Sequence, residues 1–138
     1  MFTRYAIYYT PEPGTPLAEF GATWLGWDSA AGVARGQPST NGLDVAQITA
    51  TPRKYGFHGT IKPPFRLAEG MTAQGLADAV AVLCADAAPV TLEGLELVRL
   101  GRFLALVASG DASPLGAVAA RAVQELGAFH APATDAEL

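Results

Sequence analysis

The sequence predicts an α+β fold, a largely antiparallel sheet with helices packed on one face. Three observations lead there. Short aromatic or β-branched runs alternate with segments of helical apolar spacing. Thr15-Pro16, Thr72 and Ser113-Pro114 are strong helix-start signals. The order strand, helix, strand, helix, hairpin, helix has no repeat or linker, the layout expected of helices laid on a sheet. Residues 1–138 read as a single domain, long enough for one core.

The first strand spans Thr3 to Tyr9 and is closed by Pro11-Glu12-Pro13-Gly14. Residues two apart on a strand share a face. Tyr5, Ile7 and Tyr9 therefore point one way, and Arg4, Ala6 and Tyr8 the other. Thr15 caps a helix with Pro16 at its first position, and Leu17, Phe20, Trp24 and Leu25 form its apolar stripe. Gly26 to Gly42 is rich in Gly, Ser, Pro and Asn without a period, and reads as a long loop. Leu43 to Thr51 is compatible with a short helix or a strand, and Pro52 breaks the chain after it.

The run Arg53-Lys54-Tyr55-Gly56-Phe57-His58-Gly59-Thr60-Ile61-Lys62-Pro63-Pro64-Phe65 reads as the central strand. Lys54, His58, Thr60 and Lys62 share a cationic, donor-rich face, and Tyr55, Phe57 and Ile61 share an apolar one. Pro63 and Pro64 cannot donate to a ladder, so the strand stops or becomes an edge there. An imidazole and a hydroxyl on one face suit a phosphate, with Lys54 or Lys62 holding the charge. The same pattern also fits an ordinary surface or core histidine beside a solvated basic edge.

Beyond Glu69-Gly70, Thr72 caps a helix whose inward stripe is Leu76, Ala79, Val80, Leu83 and Cys84, with Met71 placed to staple onto Leu76 and Pro89 marking the end. Val90 to Leu100 alternates partway and turns at Gly101-Arg102 into Phe103 to Ala108, a near-continuous apolar run typical of a central strand; the two pair as a hairpin. Ser113-Pro114 starts a last helix that buries Leu115, Val118, Ala119, Ala122 and Leu126 and ends at Gly127. Ala128 to Leu138 is weak in pattern and reads as frayed.

Half of the residues are hydrophobic and 16% are charged, with a net charge of −4. That balance argues against a general nucleic-acid binder. Positive charge is instead local, in Arg53, Lys54, Lys62 and Arg66. Cys84 is the sole cysteine, which excludes an internal disulfide and fits a reducing cytoplasm; it reads as a packed small hydrophobe. No apolar run reaches the roughly 18 residues of a membrane span, and the start lacks a signal-peptide layout. Cytoplasmic localisation without membrane association is the expectation. Two histidines and no Cys/His cluster give no metal signature, no glycine-rich loop fits a P-loop or dinucleotide fingerprint, and no serine sits in a nucleophile elbow. No metal or cofactor is expected.

The segment Arg53 to Phe65, with Arg4-Tyr5-Ala6-Ile7-Tyr8-Tyr9 upstream, resembles a bacterial family of unknown activity associated with phosphonate-utilisation operons and belonging to the two-histidine phosphoesterase superfamily. That resemblance implies a pseudo-symmetric fold with one His-x-Thr/Ser-hydrophobic motif per lobe, the two facing each other across a cleft. It implies metal-free phosphodiester chemistry in which the histidines act as general acid and base. His58-Gly59-Thr60-Ile61 matches the first motif. His130, in Phe129-His130-Ala131-Pro132, does not match a second, and such proteins continue further, so the chain reads as an N-terminal portion. Carried over, His58 is the acid/base and Thr60 its phosphate-binding partner. Strand parity adds Lys62 as an electrostatic contributor, and Lys54 and Tyr8 are further substrate-binding candidates.

The expectation is thus a phosphodiesterase acting on a small or cyclic phosphodiester, its partner a small phosphorylated substrate. Two alternatives stand beside it. One is a lobe that only binds a phosphate ligand, and the other is a homodimer in which each copy supplies one motif.

Overall fold

A computed structural model describes residues 4–134 of the chain. The elements run β1 (Tyr5–Tyr9), α1 (Pro16–Leu25), β2 (Trp27–Asp28), β3 (Val33–Ala34), α2 (Val45–Ile48), α3 (Ala50–Arg53), β4 (Gly59–Phe65), α4 (Ala73–Asp86), β5 (Gly94–Leu100), β6 (Phe103–Ser109) and α5 (Ser113–Glu125). A 3₁₀ turn, Gly127–Phe129, follows. The α+β class is borne out. Among the described residues the strands form two-stranded sheets, β1 with β4, β2 with β3 and β5 with β6, the last two pairs antiparallel. No described helix is long and apolar enough to cross a membrane.

The chain divides into two compact units. One is the continuous stretch Tyr8–Thr60, and the other combines Met1–Ile7 with Ile61–Leu138.

In the first unit the Thr15 side chain accepts from the Ala18 N–H, and Gly26 closes α1 in the left-handed conformation. The expected Gly26–Gly42 loop contains the β2–β3 hairpin. The ambiguous stretch after Leu43 is two short helices, with Asp44 accepting from the Gln47 N–H to start α2. Pro52 lies inside α3 rather than breaking the chain before a strand. Its missing N–H costs nothing in a first turn, where that donor has no intrahelical partner.

Arg53–His58 is therefore not a strand. Arg53 ends α3, Lys54 caps it in helical conformation, and Gly56 turns the chain with φ of +76°. The ladder begins only at Gly59 and runs through Pro63 and Pro64 to Phe65. A two-stranded sheet is all edge, which is where prolines are tolerated.

In the second unit Phe65, Leu76, Leu83, Ala122 and Leu126 form the buried core, flanked by Tyr5, Ile7, Ile61, Leu67, Ala79, Val80 and Phe129. The Thr72 hydroxyl accepts from Gly75 N–H at the start of α4. Cys84, expected on the inward stripe, is exposed. The β6 run, expected to be central, is an outer strand of a hairpin: Leu97 and Leu104 are 67% and 62% exposed on one face. Nor is the segment after Gly127 frayed where it is described. Ala68 N–H donates to Phe129 O and Ala131 N–H to Arg66 O, both at 2.8 Å, and Leu67 bridges His130. The expected Thr3 start of β1 and residues 135–138 lie outside the described residues.

Candidate functional site

The His58 site is built from α1 outward, within the first unit. Arg53 Nε donates to Leu25 O at 2.6 Å, and its Nη2 donates to Ala46 O at 2.7 Å and Thr49 Oγ1 at 2.9 Å. Gln37 Nε2 donates to Trp24 O at 2.8 Å and to Thr49 Oγ1 at 2.9 Å, while that hydroxyl donates to Val45 O at 2.6 Å. Thr49 is 2% exposed, so its one donor and two acceptor positions are all used in the interior. Arg53, one of the local cluster of positive charges in the sequence, ties the end of α1 to α2 and α3.

The turn after α3 places the imidazole. Gly56 is buried, and a Cβ there would lie 2.9 Å from Ser29 Cβ, so the position accepts little but glycine. Next to it, Phe57 packs edge-to-face on Phe20 with centroids 6.2 Å apart. Phe57 also lies over Gly21 of α1, where any Cβ would clash with its ring.

His58 Nδ1 lies 2.9 Å from Gly56 O. A carbonyl oxygen only accepts, so Nδ1 carries the proton and neutral His58 presents a bare lone pair at Nε2. Tyr8 stacks on the ring, centroids 3.8 Å apart and planes 21° from parallel. Thr60 follows as the second residue of β4, exposed. The structure thus brings together Tyr8 and His58 of the expected set. Lys54 is exposed at the end of α3, not on a strand face with His58.

Lys62 belongs to the second unit and is buried, at 4% exposure. Its Nζ lies 3.4 Å from His130 Nδ1 and 4.7 Å above the Phe65 ring. His130 in turn tilts against Phe65 at 5.3 Å. An ammonium has only donors, so His130 Nδ1 accepts. Sequence spacing gave no sign of this pair, whose members stand far apart in the chain. Among the described residues no group of three or more His, Cys, Asp or Glu stands together as a metal site.

The chain belongs to the family described as "Protein of unknown function (DUF1045)", whose model matches residues 60–138. It is similar to the ribose 1,5-bisphosphate phosphokinase PhnN of Janthinobacterium sp. (strain Marseille), 36% identical over 139 residues, covering 99% of this chain and 31% of that protein. It is also similar to the ribose 1,5-bisphosphate phosphokinase PhnN of Laribacter hongkongensis (strain HLHK9), 33% identical over 137 residues, covering 94% and 32%. The chain spans less than a third of the length of these curated relatives. No solved structure gives a significant match.

These relatives correct the functional expectation. Both are named as phosphokinases, and a kinase transfers a phosphoryl group where a phosphodiesterase hydrolyses a diester. The phosphodiesterase reading and its hydrolase class are set aside.

Proposed function

We propose that this chain is the portion of a longer ribose 1,5-bisphosphate phosphokinase-like protein that handles the phosphorylated sugar, in keeping with the phosphonate-metabolism link implied by its resemblance. The observation that carries this reading is the His58 ring. It is clamped by Tyr8 on its face and by the Gly56 carbonyl on Nδ1, which leaves Nε2 as the working atom. As a phosphate dianion binds, Nε2 takes up a proton from solvent, and the resulting imidazolium pairs with the dianion. Tyr8 supports that cation through its π face. The exposed Thr60 hydroxyl donates to a second phosphate oxygen.

Glycine-rich nucleotide cradles of the type G-x-x-x-x-G-K-[ST] do not occur in these 138 residues, so His58 and Thr60 are assigned to the sugar phosphate and not to the nucleotide. Kinship with the two-histidine phosphoesterases is accordingly one of fold and phosphate handling.

Calorimetric titration of the chain with ribose 1,5-bisphosphate tests the reading. Saturable binding with proton uptake is expected, weakened about tenfold or more by His58→Gln and by Thr60→Val, the loss of a charge-assisted hydrogen bond. Unchanged binding by both variants, or no binding by the chain, overturns it.

A further inference from the structure

We infer that the second unit holds an anion site of its own, built on His130 and Arg4 and energised by the buried ammonium of Lys62. A cavity in that unit is lined by Arg4, Pro64, Phe65, Arg66, His130 and Ala131 among others, and among the described residues each ionisable one that lines it is basic. Arg66 is engaged with Pro132 O at 3.1 Å and shapes the wall. Arg4 is exposed beside it.

Lys62 makes this more than a basic patch. Burying a charge is costly unless it is paired, and Lys62 is 4% exposed. Among the described residues no carboxylate forms an ion pair with it. Its acceptor is a neutral imidazole nitrogen at 3.4 Å.

That contact dictates what His130 shows to the cavity. With Nδ1 accepting from the ammonium, the ring proton sits on Nε2, so the outward edge of His130 is an N–H donor. His130 is thereby held in the tautomer opposite to that of His58. A donor edge, a guanidinium and an uncompensated buried cation form a receptor for a compact dianion. A phosphate monoester or inorganic phosphate fits, since it accepts from several donors at once and supplies the charge that Lys62 lacks. In this arrangement Lys62 is a positioning residue acting through His130, and the site stands independently of the role proposed for His58.

The two histidines make the test direct, since each gives its own ring signals. Inorganic phosphate titrated into the ¹⁵N-labelled chain should shift the His130 ring resonances saturably. Before phosphate is added, His130 should already show the Nε2–H nitrogen pattern. Lys62→Met, which keeps the aliphatic stem, should abolish that tautomer preference and weaken the His130 response about tenfold. Arg4→Ser, at an exposed position that does not threaten the fold, should weaken it severalfold. A response confined to His58 would overturn this site while leaving the function proposed above intact. A silent His130, or equal His130 responses in the native chain and Arg4→Ser, would overturn it also.

Discussion

His58 Nδ1 is held 2.9 Å from the carbonyl oxygen of Gly56, two residues earlier in the chain. The bond exists because Gly56 adopts φ of +76° and turns its carbonyl back toward the ring. Gly56→Ala should cost about 1–3 kcal/mol, from the left-handed backbone and from the Cβ that would lie 2.9 Å from Ser29 Cβ. Thermal melts check this. The double variant with Ser29→Gly should recover only part of the loss, because it removes the clash and not the backbone strain. Full stability of Gly56→Ala would refute this account of how the imidazole is placed.

Arg53 joins three elements through its guanidinium, so its charge alone is not what matters. Arg53→Lys keeps the charge and loses the planar fork. It should destabilise the chain by about 2 kcal/mol or more, close to Arg53→Met, since Leu25 O and Ala46 O lose this donor together and Thr49 Oγ1 keeps only the one from Gln37. Denaturant midpoints for the two variants should nearly coincide. A harmless Arg53→Lys would refute the account of this guanidinium as the tie between the three elements.

Asp111 Oδ1 accepts from Ser113 N–H at 2.9 Å at the start of α5. The Ser113 hydroxyl first, and then its N–H, hold the Asp111 carboxyl below the ordinary carboxylate value. Its native pKa is thus lower than its unfolded one. Its stabilisation is complete above the unfolded value of about 3.9 and drains away as pH falls through the lower native value. A carboxyl-detected NMR titration should place the Asp111 midpoint below that of an unfolded aspartate, and Ser113→Ala should move it upward. A midpoint at or above the ordinary value would contradict the contact.

Leu95, Leu97, Leu104 and Leu106 occupy one face of the β5–β6 hairpin and are all exposed. Contiguous apolar surface of this kind drives association. The 138-residue chain should therefore self-associate in sedimentation velocity, and Leu97→Glu with Leu104→Lys should shift it to monomer without lowering its melting temperature. A native chain that stays monomeric at high concentration would show that this face is inert.

Local chemistry was the legible part of the sequence. Thr15, Thr72 and Ser113-Pro114 mark helix starts through bonds and φ values set within a few residues, and all three helices begin where those signals stand. The hairpin turn at Gly101 was readable for the same reason, with φ of +62°. Arg53–His58 misled because its side chains alternate as in a strand, while Gly56 and the polar node at Thr49 impose a turn that alternation does not encode. Cys84 and the β6 leucines misled because apolar spacing shows which residues share a face and not whether anything covers it. In the candidate site, Tyr8 and His58 were named from strand and motif and do meet. Lys62 was named from strand parity, which says nothing of its contact with His130. Its partner His130 comes from the end of a different stretch of chain, and only the fold brings the two together.

The division of the chain bears on how it is made. Tyr8–Thr60 leaves the ribosome as one uninterrupted length, with α1 and the α2–α3 pair complete before β4 is finished. The other unit takes Met1–Ile7 ahead of that stretch and resumes only at Ile61, so its earlier segment waits while roughly fifty residues are added, several seconds at 5–20 residues per second. Leu126, the most deeply buried leucine of its core, follows only after α4, the hairpin and α5 have emerged. Vectorial synthesis thus orders assembly: the inserted unit folds first, and the unit holding Lys62 and His130 closes last. A stalled or prematurely released chain would display the first finished and the second open, with Phe65 and Ile61 exposed to chaperones and proteases.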